Sequence, residues 1–305
     1  LMTEAVNPNV LVITNVGLDH IGLVNSIDET FNEIYGSLKA ISSKYNPRKK
    51  DNINNVYAIL NSDDPLLMEM GECIAKDKTV KVLFYSSSEN KSQYHDVSFK
   101  TDGIYINEKI FLKIDELPFK SKHFIQNTMA AIGATLALNI DLEIIKHVVS
   151  SYQPLDRRFT ILGNDPLIID DFAHNPDGII ATIKSAAKIC EGILYIVFAI
   201  RGSRGEKINR LNAEALVKGL EDINYNLIVT SSVEAVDNLN TVIISEKIVV
   251  LNTLKEHGLK YVFQKELYPA LSSCIGMATE MDTILLIGAQ GMDPASEMLK
   301  KNCLI

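Results

Sequence analysis

Apolar positions along this chain follow two rhythms. Short apolar, largely β-branched runs at 10–14, 56–60 and 79–85 predict buried strands. Phe31, Ile34, Leu38 and Ile41 mark one face of a helix over 28–43, with Ser26 or Asp28 as its N-cap. Residues 97–114 alternate around Asp102-Gly103 and Asn107-Glu108 turns, which predicts a small antiparallel patch. Ala-rich 121–138 is a helix, and Asp141 caps the next, through about residue 152. Residues 153–158 form a linker, because the chain changes there from helix-rich to alternating. Strands follow at 167–170, 193–199, 227–230, 248–251 and 283–287, with shorter ones at 242–245 and 261–263. Helices fall at 176–190, 209–220 and 265–279. This second half predicts a doubly wound, Rossmann-like parallel sheet. The pattern as a whole predicts α/β architecture in two domains, 1–153 and 154–305.

Composition narrows the function. The 305 residues are enough for two domains of ordinary size, and 47% hydrophobic with 22% charged content is globular. A net charge of −8 without Lys/Arg runs argues against a nucleic-acid groove. No apolar run reaches the ~18–20 residues of a membrane span, so no membrane partner is expected. Cys73, Cys190, Cys274 and Cys303 are scattered, without metal-ligand spacing, and a reduced cytoplasmic location is the simplest reading. The sequence contains no Gly-x-x-x-x-Gly-Lys-(Ser/Thr) phosphate loop and no Gly-x-Gly-x-x-Gly.

The stretch with most chemistry runs from Ile168 to Asp177: Ile-Ile-Asp-Asp-Phe-Ala-His-Asn-Pro-Asp. Asp170 and Asp171 close a strand, and Pro176 is placed to start a helix. An acid, an imidazole and an amide thus sit at the carboxyl end of a strand, where open α/β sheets bind ligands. A helix N-terminus beside them favours anions. Turn chemistry alone also accounts for Asp and Asn here.

Asp170 to Asp177 resembles the D-(Y/F)-A-H-(N/T)-P-(D/E) signature of the Mur ligase family, which includes the folylpolyglutamate synthases. Further stretches match that family in the same order, over nearly the whole chain. Thr14-Asn-Val-Gly-Leu-Asp-His20 is similar to T-N-(I/V)-x-x-D-H, and the resemblance makes His20 a Mg²⁺ ligand. It makes Lys39 a carbamylated catalytic lysine that supplies an oxygen to a second metal ion. A solvated lysine near a helix C-terminus is the alternative. Asn61-Ser-Asp-Asp-Pro65 matches N-x-D-D-P and reads as a helix cap. His123-Phe-Ile-Gln-Asn127 resembles H-N-x-x-N, whose asparagines contact adenine; Asn127 keeps the second and Phe124 replaces the first. Arg157-Arg-Phe159 resembles R-(F/M)-E, with Arg158 as the phosphate-contacting arginine and Thr160 in place of Glu.

Two later loops diverge from the family. Arg201, Arg204 and Lys207 lie where relatives carry G-x-x-G-D-R-D, and read as a basic loop for an acidic substrate or as a solvated turn. Gly288-Ala-Gln-Gly-Met-Asp293 resembles G-K-G-H-E only in its glycines. The resemblance implies the remainder of a Mur ligase central ATPase domain followed by the C-terminal ligase domain. It implies ATP and Mg²⁺, an acyl phosphate, and a small-molecule acid joined to an amine or amino acid. Asn127, Arg158, Asp171 and His174 would hold ATP, and His174, Asp171 and Lys39 would be catalytic. Peptidoglycan-type peptide ligation leads. Folate-type glutamate addition, or amide formation on a tetrapyrrole or other carboxylate, follows. A nucleotide-binding module of a split or inactive homologue is the non-enzyme alternative. Relatives carry a phosphate loop upstream, so residues 1–305 are expected to be a fragment inactive alone, or to meet a partner segment carrying that loop.

Overall fold

The computed structural model describes residues 2–17, 26–42, 56–76, 78–88, 96–118, 122–153, 155–302 and 304. They divide into two compact units, Leu1–Gln153 and Pro154–Ile305.

The first unit contains α1 (Met2–Val6), β1 (Val10–Ile13), α2 (Ile27–Ile41), β2 (Tyr57–Asn61), α3 (Pro65–Ala75) and β3 (Lys81–Ser86). After these come β4 (Val97–Lys100), β5 (Gly103–Ile106), β6 (Lys109–Lys113), α4 (Lys122–Ala137) and α5 (Leu142–Ser150). Its sheet runs β1-β2-β3-β4-β5-β6. The first four strands are parallel and the last two pairings antiparallel. The predicted antiparallel patch therefore extends the main sheet. Asn107 and Glu108, at φ 48° and 64°, make its tight turn. Ser26 caps α2 by accepting from the Glu29 amide. One face of the sheet packs Ile59, Tyr85 and Val97 on Ile125, Met129 and Ile132 of α4. The other packs Ala58 and Leu60 on Leu38 of α2 and Leu67 and Met70 of α3.

The second unit contains β7 (Thr160–Asn164), β8 (Leu167–Asp171), α6 (Pro176–Ile189), β9 (Leu194–Ala199), α7 (Glu206–Gly219) and β10 (Tyr225–Thr230). Next are α8 (Ile244–Glu256), β11 (Val262–Gln264), α9 (Leu267–Met277), β12 (Thr283–Ile287) and α10 (Ala295–Lys301). Strand order is β11-β10-β9-β12-β8-β7. Only β7 is antiparallel to its neighbour. Alternate strand residues face opposite layers. Ile169, Ile196, Phe198 and Leu285 pack with Ile183, Leu216 and Val250 of α6, α7 and α8. Ile168, Val197, Ile284 and Leu286 pack with Leu271 and Leu299 of α9 and α10. Both faces are covered, so these strands read as continuous apolar runs. Because β8, β12 and β9 are adjacent and parallel, the loops after them meet at one sheet edge.

The expected strands at 242–245 and 248–251 do not form; residues 244–245 and all of 248–251 lie in α8. The run Ile248-Val-Val-Leu251 is rich in strand formers. Its burial is helical: Val249, Val250, Thr253 and Leu254 are buried while Ile248 is 48% exposed. A central strand covered on both faces would not leave Ile248 open. Strand β7 had no predicted counterpart, since it is an edge strand with a register shift between Ile161 and Gly163 and its pattern is weak.

Candidate active site

The loop between β8 and α6 is held through the backbone of Phe172, Ala173 and His174. The Asp171 carboxylate, 6% exposed, accepts from the Phe159 amide (2.8 Å), the Ala173 amide (2.9 Å) and the Thr182 hydroxyl (3.1 Å). The Phe172 amide donates to the Arg157 carbonyl at 2.9 Å. Asn175 caps α6 by accepting from the Gly178 amide at 2.8 Å, with Pro176 at the first helical turn. His174 is half-buried, and its Nδ1 lies 2.7 Å from the Phe172 carbonyl. A carbonyl only accepts, so Nδ1 carries the hydrogen, and in the neutral ring Nε2 carries a lone pair. Asp171 thus holds the loop that presents His174, whereas the resemblance gave it a catalytic and nucleotide contact.

The two arginines of the linker differ sharply. Arg157, at φ 59°, turns inward. Its guanidinium pairs with buried Asp170 at 3.1 Å and with Asp293, and donates to the carbonyls of Gly288 (2.5 Å) and Ala289 (3.0 Å). Burial pushes the Asp170 carboxyl up to about 6, against the lowering influence of Arg157. Arg158 is exposed, with its guanidinium 5.0 Å from the centroid of the Phe172 ring. Phe172 also meets the His174 ring edge-on at 5.0 Å. Arg157 therefore ties the β8 end to the β12 loop, and Arg158 keeps a charge at the surface over the Phe172 ring. Gly288 is required where these loops meet, because a Cβ on it would stand 2.8 Å from Ala199 Cβ.

Glu246 dominates the loop after β9. Its fully buried carboxylate accepts from the amides of Arg204 and Gly205 (2.7 Å each), Ser203 (3.0 Å) and Ile243 (3.1 Å). The backbone nest of this Gly-rich loop is thus filled from within. An anionic substrate would have to meet side chains, not amides. Arg204 is exposed, with its guanidinium 3.1 Å from the Ser203 carbonyl and 3.4 Å from Asn240 Oδ1. Arg201 is half-buried, and Lys207 is exposed in the first turn of α7. Glu246→Gln is expected to destabilise the protein by about 2 kcal/mol, since an amide cannot accept from all four groups. Hydrogen exchange at Ser203, Arg204 and Gly205 should accelerate more than at β9; unchanged protection there would remove Glu246 as the anchor.

Sequence reading missed Glu246, Arg157 and two buried asparagines of α7. Asn209 Nδ2 donates to the carbonyls of Arg201 (2.9 Å) and Gly205 (3.1 Å), and Asn212 Nδ2 to that of His174 (3.0 Å). The available signal was their spacing: two amides at i and i+3, on the helix face that also carries Ile208, Ala213 and Leu216.

In the first unit, Asp64 caps α3 by accepting from the Leu66 amide (2.9 Å) and also accepts from the Val16 amide (2.7 Å). Asp63 accepts from the Ser86 and Ser87 hydroxyls (2.6 Å each), the Ser87 amide (2.8 Å) and Gln126 Nε2 (3.2 Å). Burial raises its pKa, but the serine hydrogen bonds prevail and hold it well below the usual carboxylate range. The N-x-D-D-P stretch is thus a structural anchor between β2, β3 and α4. Asn127 is exposed on α4, one residue from that anchor. Lys39 Nζ lies 4.2 Å over the Tyr35 ring, a cation–π contact within α2. His20 lies outside the described residues. Among the described residues no group of three or more His, Cys, Asp or Glu could hold a metal ion. The described residues do not by themselves fit Mg²⁺.

Residues 157–290 match the family model described as Mur ligase, glutamate ligase domain, and residues 1–135 match the Mur ligase middle domain. The chain belongs to the Mur ligase family. A UDP-N-acetylmuramate–L-alanine ligase of Syntrophomonas wolfei is 26% identical over 298 residues, which cover 92% of this chain and 58% of that protein. One from Lachnospira eligens is 30% identical over 203 residues, 63% of this chain and 40% of that protein. The chain thus spans less than two thirds of the length of these relatives. Among solved structures, a pseudomurein peptide ligase type C from Methanothermus fervidus has a TM-score of 0.67 at 18% identity, covering 97% of this chain and 64% of that one. A bifunctional folylpolyglutamate synthase/dihydrofolate synthase from Yersinia pestis, complexed with AMPPNP and Mn ion, also reaches 0.67, at 15% identity over 99% and 63% of the two chains. These likenesses establish the fold. They lend no support to a separate partner segment. No helix among the described residues is long and apolar enough to cross a membrane.

Proposed function

We propose that this chain belongs to an ATP-dependent ligase that joins a carboxylate to an amine, of the peptidoglycan-type peptide-ligating kind. The observation that carries this reading is the pinned loop after β8, which presents His174 in one tautomer, with the His174 ring and the exposed charge of Arg158 both against Phe172. ATP supplies the phosphoryl group that makes a carboxyl carbon electrophilic. Arg158 is suited to neutralise phosphate oxygens. Nε2 of neutral His174 can accept a hydrogen from the attacking ammonium or amine, while Asp171 and Asn175 keep the ring from drifting. Arg201, Arg204 and Lys207, at the same sheet edge, offer charge to the carboxylate of an amino-acid acceptor. The relatives named UDP-N-acetylmuramate–L-alanine ligases favour a cell-wall precursor over folate, for which the support is fold likeness alone. A cytoplasmic site of action agrees with such nucleotide-linked substrates.

The test is initial-rate kinetics of the full-length protein with ATP, UDP-N-acetylmuramate and a panel of amino acids. Arg204→Ala should raise the KM for the acceptor roughly tenfold, the loss of one charge-assisted hydrogen bond, and leave that for ATP unchanged. Absence of acid- and amine-dependent ADP formation by the wild type would overturn the ligase reading. An equal rise in both KM values would move this loop to the nucleotide.

A further inference from the structure

Asn209 and Asn212 sit inside the second unit, fully buried on α7, yet neither is satisfied: each Oδ1 has no hydrogen-bond partner among the described residues. The facing carbonyls fix the orientation of both amides. Both side chains face backbone carbonyls, which only accept, so the amide nitrogen must be the facing atom. A buried acceptor left unpaired is unfavourable. An apolar residue of similar volume would avoid that penalty and pack against the same core. Two such amides, three residues apart on one helix face, are therefore placed for what their donors hold.

What they hold is specific. Asn212 donates to the carbonyl of His174 itself, and Asn209 to the carbonyls that bracket the basic loop, Arg201 and Gly205. The other backbone anchors of the β8–α6 loop come from Asp171, Arg157 and the start of α6. The described bond from outside to the His174 peptide is that of Asn212. One rigid helix thus grips the loop that carries the imidazole and the loop that carries the acceptor charges, by neighbouring side chains.

We infer that Asn212 and Asn209 are positioning residues, Asn212 setting the His174 ring and Asn209 setting the 201–205 loop, so that α7 fixes the spacing between the two. The roles assigned to these loops rest on the proposed ligase function. The clasp itself does not, and the two are tested separately.

The experiment compares Asn212→Ala and Asn209→Ala in the full-length protein, with imidazole ¹⁵N NMR of His174 (assigned by loss of its signals in His174→Ala) and steady-state kinetics. Asn212→Ala should shift the His174 ¹⁵N signals away from the Nδ1–H tautomer and lower kcat about 10- to 100-fold, as misplacement of a reacting group does. It should leave the acceptor KM unchanged. Asn209→Ala should leave the His174 signals and kcat unchanged and raise the acceptor KM; Glu246 still holds the loop, so this rise should be smaller than that in Arg204→Ala. Should either alanine variant fail to fold, the leucine variant, which keeps the volume and removes the unpaired oxygen, takes its place. Unaltered His174 signals in the Asn212 variant would overturn the inference. So would equal effects of both variants on both kinetic constants, which is the pattern of a merely structural pair. If the wild type catalyses no ligation, the ligase reading fails, and the NMR comparison alone still decides the clasp.

Discussion

His174→Ala is expected to lower turnover of the full-length protein by about 10²- to 10⁴-fold, the usual contribution of a positioned acid–base group. The fold should barely notice. The side chain is half-buried, and the contacts it gives up include the hydrogen bond to the Phe172 carbonyl and an edge-on ring contact. Loss of one such bond costs about 1 kcal/mol. The loop keeps its other anchors, since Asp171 still holds the Ala173 amide and Asn212 still meets the carbonyl of residue 174. Turnover and denaturant unfolding, measured on the same preparations, separate the two quantities. Wild-type turnover in the variant would remove His174 from the chemistry. A collapse of stability would make it a structural histidine.

Parts of this arrangement were legible in the sequence, for reasons that differ by residue. Strand β12 was read to the residue, because Thr283-Ile-Leu-Leu-Ile287 is buried throughout and bounded by polar or glycine positions. The caps at Ser26 and Asp141 were readable because capping is a local event, decided within three residues. The site was half legible. His174, Asp171 and Asn175 lie within one short signature, so spacing alone placed them together. Arg157 and Arg158 carry the same chemistry at adjacent positions. Which one turns inward is set by a left-handed backbone at Arg157 and by the buried Asp170 that receives it, neither of which a linear pattern displays. Glu246 was out of reach for a different reason. Its amide donors at Ser203, Arg204 and Gly205 lie 41 to 43 residues away, and the helix that brings it to them was read as strand. Long-range satisfaction of backbone groups has no short-range signal, and that is where the reading stopped.

Arg157→Ala should produce the largest loss of stability, about 3 kcal/mol near pH 8, because it leaves a buried carboxylate without its counter-ion. The dependence on pH follows from Asp170. Burial raises its pKa from 3.8 to about 6 in the folded protein, even with Arg157 beside it. A raised acid binds its proton more tightly when folded than unfolded. Its contribution to stability is therefore fully present below pH 3.8 and is lost as pH rises through about 6. Without Arg157 the folded pKa moves higher still, so the ionised form costs more at neutral pH. At pH 5 Asp170 is largely protonated in both proteins, and the variant forfeits the bonds from Arg157 to Asp293, Gly288 and Ala289, its contact with the Phe172 ring and a neutral hydrogen bond to Asp170. The gap between wild type and variant should accordingly be wide at pH 8 and shrink toward pH 5. Adding Asp170→Asn to the variant should recover most of the loss at pH 8 and little at pH 5, since the amide needs no counter-ion. Urea unfolding of the three proteins at both pH values measures this directly. A gap independent of pH would mean that Arg157 acts through its carbonyl contacts alone and that Asp170 is neutral in the folded protein throughout this range.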